Sequence, residues 1–338
     1  IGLPYPYIVP CVEGHFNELY YWDTYFTDKA LFVLSRADNA LNNTKNILYL
    51  IDRFGYMPNG NRIFYLKHSQ PPYAALMVDD VYRINGDLSF LKRAFVTLKK
   101  EYDFWMTNRV SGNGLNHYDC EDEKEHCADM YNNCVAERIG KCDGRDPSEA
   151  GRHYIAECES GWDFNPRFGG FCAHYNAVDL NSNLYLYEKL FSEYEALLGE
   201  GDGKAWAEKA EIRAEKMNSL LWDSVARMYK DYNYITGKLS TEVSAASFQP
   251  YFVGLADNKQ RYGLLALESD WGIFTTEKID NKYQWAYPNI WAPCQYVAVE
   301  GLRRYGFDTE AKRVAQNYIA LIKKNFAAHG KLFEKYNG

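Results

Sequence analysis

The stretch Asp87-Leu88-Ser89-Phe90-Leu91-Lys92-Arg93-Ala94-Phe95-Val96-Thr97-Leu98-Lys99-Lys100-Glu101-Tyr102-Asp103-Phe104-Trp105-Met106-Thr107-Asn108-Arg109 decides the fold class. Its apolar positions Leu88, Leu91, Phe95, Leu98, Tyr102 and Trp105 advance in steps of three and four, which draws one stripe along an α-helix. Gly86 and Asp87 supply the break and the N-cap ahead of it. The same period recurs at Leu184, Tyr187, Phe191, Tyr194 and Leu198, and again at Trp206, Ala210, Arg213, Met217 and Leu220, so a helical hairpin is expected there. Further helices are read over residues 25–34, 41–54, 72–84, 260–267, 291–305 and 309–326, giving about nine helices in antiparallel pairs. No alternating run is long enough to build a sheet, so the fold class is all-α.

The 338 residues suffice for one large core fed by these pairs, and 1–338 is read as a single domain. Residues of about 110–160 are too long for a simple connector and are acidic and Cys-rich, so they are expected to form an excursion, either an insertion or a lid. Four cysteines fall in it, Cys120, Cys127, Cys134 and Cys142. Their spacing lacks the close Cys pair and nearby His pair of a zinc site, although His117, His126 and His153 lie around them, so no metal is assigned. Disulfides and free thiols both remain open. Cys11, Cys158, Cys172 and Cys294 sit in aromatic or apolar context and read as buried small hydrophobes.

Tyr, Phe and Trp make up 16% of the chain, with 29 Tyr, 18 Phe and 8 Trp. Amphipathic rings in such numbers suit a cleft that stacks on a sugar while hydrogen-bonding it. A net charge of -7 and the lack of clustered Lys and Arg argue against a nucleic-acid partner. No stretch approaches the ~20 apolar residues of a membrane span, and residues 1–10 lack the charged start and cleavage site of a signal peptide. The abrupt start leaves room for a longer gene product, so the compartment stays open with a lean to the cytoplasm, and the oligomeric state is not readable.

Phosphate-binding loops are excluded, because Gly199-Glu200-Gly201-Asp202-Gly203 follows a helix and is acidic where a phosphate would sit. Neither a GxSxG elbow nor an HExxH pair occurs. What remains is five loop motifs. They are Gly14-His15-Phe16-Asn17-Glu18-Leu19-Tyr20-Tyr21-Trp22-Asp23-Thr24-Tyr25, residues 58–72 around Asn59, His68 and Gln70, Glu159-Ser160-Gly161-Trp162-Asp163-Phe164-Asn165-Pro166-Arg167-Phe168, Gln284-Trp285-Ala286-Tyr287-Pro288-Asn289-Ile290-Trp291-Ala292-Pro293, and Phe333-Glu334-Lys335-Tyr336-Asn337. Alone, each could be a packed aromatic turn. Together they repeatedly place a carboxylate or amide beside Trp or Tyr, which suits gripping hydroxyls from the side and a sugar ring from above.

In these motifs, in order and over essentially its whole length, the chain strongly resembles glycoside hydrolase family 37, the α,α-trehalases. The resemblance implies an (α/α)6 barrel of helical hairpins with long active-site loops, inverting hydrolysis of trehalose or a related small α-glucoside, and no cofactor. By position it implies Asp163 as general acid and Glu334 as general base. It further implies sugar contacts from Phe16, Tyr20, Trp22, Asp23, Asn59, Gln70, Trp162, Arg167 and Trp285, with His15 and His68 standing where the family carries arginine. The residues themselves suit the two roles. Trp162 and Phe164 flank Asp163 and would keep it protonated, and Lys335 beside Glu334 would favour an ionised base.

The departures point at the leaving group. Two residues are inserted after Pro10, the family Asp after Gln-Trp is Ala286, and the family's PRPES segment has no clear counterpart, Arg145-Asp146-Pro147-Ser148-Glu149 being the nearest. Neutral His cannot replace a bidentate guanidinium, so leaving-group recognition is expected to change more than the chemistry. Below ~pH 6.5, His15 and His68 would offer a cationic pocket to an anionic aglycone, which suggests a glucosyl or mannosyl conjugate as the alternative substrate. Arg62, Arg145, Arg152 and Arg167 are the arginines expected to compensate. A non-catalytic sugar-binding protein would be marked by loss of one carboxylate, and both are present.

Overall fold

The computed structural model describes residues 1–12, 14–140, 144–256, 263–279 and 282–338. The chain runs through α1 (Tyr21–Val33), α2 (Ala37–Phe54), α3 (Ala74–Asn85), α4 (Leu88–Asn108), α5 (Lys124–Asp129), α6 (Ala136–Ile139), α7 (Pro147–Glu159), α8 (Val178–Leu197), α9 (Lys204–Leu220), α10 (Gln249–Phe252), α11 (Ala292–Arg304) and α12 (Asp308–His329). α1 packs on α2, α3 on α4, α8 on α9 and α11 on α12, so the hairpins expected from the periodicity are the building units. Among the described residues, strands are two or three residues long and lie in the loops.

The local rules behind these boundaries are simple. Gly86 ends α3 in the left-handed region, and the Asp87 carboxylate then accepts from the amides of Ser89 and Phe90, which starts α4. Leu91, Phe95, Leu98, Tyr102 and Trp105 of the apolar stripe are buried in the main core, while Leu88 at its start is exposed. Truncating a core residue such as Leu98 to alanine would cost ~2–5 kcal/mol. That core also encloses polar groups that satisfy one another. Tyr21 Oη and Tyr187 Oη donate to the two oxygens of Glu101 at 2.6 and 2.7 Å, and burial pushes the Glu101 carboxyl up to about 7. This ties α1, α4 and α8 together.

The excursion differs from its reading as a loop. It holds α5, a π-helical turn (Met130–Val135), α6 and α7, a full helix. The segment Arg145-Asp146-Pro147-Ser148-Glu149 is the start of α7, with the Asp146 carboxylate accepting from Ser148 N and Glu149 N and Pro147 in the first turn. α5 docks on α7 so closely that a Cβ on Gly151 would lie 1.8 Å from the Cys127 carbonyl oxygen. Tyr131, Val135, Ala150, Tyr154 and Phe164 form a small core joining the excursion to the loop after α7. Cys120, Cys127 and Cys134 are free thiols, Cys142 lies outside the described residues, and no metal-holding group of His, Cys, Asp and Glu occurs among the described residues. The helix expected over 260–267 is a 3-10 turn at Gly263–Leu267, residues 260–262 being outside the described ones.

Candidate active site

Three loops converge on one group of carboxylates. The first is the entry to α1, where the backbone amides of Tyr21 and Trp22, unpaired within the helix, donate to Gln70 Oε1 at 3.0 and 3.1 Å. That bond places Trp22 and Asp23 at the helix mouth. The second is the loop after α7, whose root is Glu159, a buried carboxylate receiving Ser69 N, Asp119 N and a two-pronged Arg109 guanidinium at 2.9 and 3.1 Å. Gly161 turns this loop at φ +74° with its Cα against the Trp22 ring, and Asp163 follows two residues later.

The third carries Glu334. Its neighbours Lys335–Asn337 form a strand that pairs antiparallel with Asn289–Trp291, with Trp291 opposite Lys335. Gln284 joins the second and third loops. Its Nε2 donates to the Asp163 carbonyl oxygen, and its Oε1 accepts from Lys335 Nζ at 3.3 Å. The Gln284 carbonyl in turn accepts from the Asn289 amide at 2.9 Å and the Trp291 indole at 3.0 Å.

Tryptophans wall the site. Trp162 and Trp285 stack at 5.1 Å and 19°, Trp285 and Trp291 at 3.8 Å and 6°, and Trp22 leans on Trp285 at 5.7 Å. Trp22 and Trp162 also line a small cavity together with Tyr73, Asp179, Asn183 and Gln249. Asp163 and Glu334 do not line that cavity, and their side chains are 36% and 57% exposed.

Burial raises the Asp163 carboxyl to about 6 in spite of Arg138, whose Nη1 donates to Oδ2 at 3.1 Å; Glu334 adds a further upward push. Asp23 is likewise raised to about 6, chiefly by burial and then by the negative charges of Glu334 and Asp163. These three carboxylates therefore share one field. Lys335 Nζ lies 3.3 Å from Glu334 Oε2 and 4.9 Å from the centre of the Trp291 ring. A protonated carboxyl and a cation-paired carboxylate on one cleft can hand over and take up a proton.

The structure brings together Trp22, Asp23, Trp162, Asp163, Trp285 and Glu334. It sets the other expected contacts apart. Arg167 is fully buried beneath Trp162, with its guanidinium held by Asp179 and Asp231 at 2.8–3.1 Å, so it supports the wall and has no reach into the cleft. Gln70 caps α1, and Asn59 Nδ2 donates to the carbonyls of Ser69 and Cys158. His15 and Phe16 lie on an exposed loop, where Phe16 meets Tyr20 edge-on, and the Tyr20 hydroxyl donates to Glu18. His68 is buried, and desolvation lowers it to about 4, so the cationic pocket expected below ~pH 6.5 does not include it. Arg145 donates to the Gly170 carbonyl at 2.7 Å, Arg152 grips Asp119, and Arg62 pairs with Glu18, which leaves none of the expected compensating arginines at Asp163.

Gln284 and Arg138 carry no functional signal of their own in the sequence. Gln284 stands in a quoted motif, but Arg138 lies in the excursion and reaches Asp163 only through the tertiary fold.

The family model described as Trehalase matches residues 1–338. The chain belongs to the trehalase family. Among curated relatives of this family, the periplasmic trehalase of Xanthomonas axonopodis pv. citri is 34% identical over 365 residues, covering 99% of this chain and 63% of the relative. The periplasmic trehalase of Xanthomonas campestris pv. campestris is also 34% identical over the same shares. This chain thus spans less than two thirds of the curated relatives it matches. Among solved structures, the neutral trehalase of Saccharomyces cerevisiae superposes with a TM-score of 0.88 at 30% identity, over 98% of this chain and 70% of the yeast one. A GH63 mannosylglycerate hydrolase of Thermus thermophilus shares the fold at a TM-score of 0.68 and 16% identity, over 94% of this chain and 88% of that one. The all-α barrel of helical hairpins expected from the sequence is the trehalase fold found. The periplasmic names of the relatives give the expected lean to the cytoplasm no support, and no helix among the described residues is long and apolar enough to cross a membrane.

Proposed function

We propose that this trehalase-family chain hydrolyses trehalose or a related small α-glucoside with inversion, Asp163 acting as general acid and Glu334 as general base. The observation that carries this reading is the shared field of Asp23, Asp163 and Glu334 beside the tryptophan wall, with the Asp163 carboxyl raised to about 6. In the reaction, the oxygen of a water attacks the anomeric carbon while Glu334 takes its proton. The glycosidic C–O bond breaks, and Asp163 gives its proton to the departing oxygen. One water is consumed, and trehalose yields two glucose molecules. Trp22, Trp162 and Trp285 supply apolar surface for the sugar ring, and Asp23 an acceptor for its hydroxyls.

A panel of α-linked disaccharides and glucosyl conjugates, scored by sugar release, identifies the substrate. Because Arg62, Arg145, Arg152 and Arg167 are all paired away from Asp163, trehalose is expected to fall below the best substrate of the panel in kcat/KM. Asp163→Asn and Glu334→Gln are each expected to abolish turnover while sugar binding survives, and NMR should show the β-anomer first. Full activity in either variant, or the α-anomer first, overturns the assignment.

A further inference from the structure

We infer that Arg138, at the tip of the excursion, is a specificity-determining residue that exchanges its hydrogen bond to Asp163 for an oxygen of the departing aglycone when substrate binds. The inference rests on the hydrolase reading above. It begins from position. Arg138 lies in α6, and its Nη1 donates to Asp163 Oδ2 at 3.1 Å, with the guanidinium 5.7 Å from the Phe164 ring centre. Both side chains reach solvent, the arginine's being 52% exposed. Its place is held by packing: Gly151 admits the Cys127 carbonyl against α7, and Tyr131, Val135, Tyr154 and Phe164 close the core between excursion and acid loop.

A general acid must reach the glycosidic oxygen, and Arg138 holds Oδ2, one of the two oxygens from which Asp163 can donate. The aglycone is placed on the Arg138 side of Asp163, where both side chains are partly exposed. A guanidinium with five donors on a fixed fork would then meet a hydroxyl or carboxylate of the aglycone. Arg145, Arg152, Arg62 and Arg167 are held elsewhere, which makes Arg138 the arginine at hand for this role.

The swap has a second effect. While Arg138 sits on Asp163 it favours the ionised carboxylate, which cannot donate a proton. An aglycone that takes Arg138 away removes that cation and leaves the acid among Trp162, Phe164 and the negative Glu334, where the protonated form is favoured. Recognition of the leaving group and arming of the acid become one event. The groups facing Asp163 are Arg138, Glu334, Asp23, Glu157, Cys134 and Cys158, of which Arg138 is the cation.

The test compares wild type with Arg138→Gln and Arg138→Lys on two substrates, the best α-glucoside of the panel and α-glucosyl fluoride, whose leaving group is a single atom. Far-UV circular dichroism and thermal unfolding report on folding. The ratio of kcat/KM for the glucoside to that for the fluoride is expected to fall about 10- to 100-fold in Arg138→Gln, the loss of one charge-assisted hydrogen bond, with Arg138→Lys in between. The alkaline limb of the kcat/KM profile is expected to move to higher pH in Arg138→Gln, since the cation that favours ionised Asp163 is gone. If the ratio or the limb is unmoved in an active enzyme, the inference is wrong and the hydrolase reading stands. If wild type turns over neither substrate, the hydrolase reading is wrong, and the inference falls with it.

Discussion

Replacing Gly161 by alanine adds one methyl group at the point where the acid loop crosses Trp22. Two costs can be separated. Gly161 has φ +74°, and an L-residue held there costs ~1–2 kcal/mol. The new Cβ would also lie 2.7 Å from Trp22 Cε2 and 2.9 Å from Cζ2, inside any tolerated contact. The ring cannot simply retreat, because Trp22 packs against Phe26 and Trp285. Overpacking of this kind costs ~1–3 kcal/mol, so the total is ~2–5 kcal/mol. Gly169 is the internal control: its φ is +57°, and nothing lies within 4 Å of its added Cβ. Gly169→Ala therefore carries the backbone cost alone, and both variants share the entropic gain from a stiffer unfolded chain. Urea unfolding of the two should differ by the clash, ~1–3 kcal/mol. Gly161→Ala should also lose kcat/KM on the best panel substrate, since Asp163 rides on the same turn. Equal stability of the two variants, or full activity of Gly161→Ala, would refute the claim that this contact sets the cleft.

The kcat/KM profile of wild type should fall on the alkaline side with an apparent midpoint near 6, because Asp163 is raised to about 6 and donates only when protonated; a limb above pH 8 would remove it as the acid. Arg167→Ala should destabilise by ~3–5 kcal/mol or prevent folding, since Asp179 and Asp231 would be left buried and unpaired; a folded variant with only a KM defect would return Arg167 to the sugar site. Asp28 is raised to about 8 by burial, with one oxygen taking Asn43 and the other unpaired. A carboxyl raised on folding favours the folded state below its unfolded value of ~3.9, and that contribution is lost as pH rises through about 8. Asp28→Asn should therefore gain stability relative to wild type between pH 5 and 9 in denaturant titrations; a constant difference across that range would contradict the burial argument.

The paired helices were legible because their cause is local. The stripe from Leu91 to Trp105, the Asp87 cap and the left-handed Gly86 all lie within one stretch of chain. α7 is hard to read although Asp146-Pro147-Ser148-Glu149 carries a cap, a first-turn proline and an early acid, because the cysteines and sparse apolar residues around it mask the period. The pairing of Asn289–Trp291 with Lys335–Asn337 was not legible, since three residues make no alternation and the partner is more than forty residues away. Site motifs could be found as groups but not resolved by role. Gln70, Asn59 and Arg167 have side chains chemically fit for sugar, and only the fold reveals that α1, the Ser69 carbonyl and an aspartate pair already occupy them.

In the proposed mechanism the water that attacks must fit between acid and base, and Gln284 acts as the spacer between their two loops. A primary amide can donate to the Asp163 carbonyl and accept from the Lys335 ammonium at once, which a carboxylate or an ammonium group cannot. Its length then becomes a dimension of the reaction. Asparagine in its place would shorten the strut by about 1.5 Å, one carbon–carbon bond, in a gap that separates a water-activating base from an acid. The spacing on which inversion depends would thus rest on a side chain whose hydrogen bonds both go to protein.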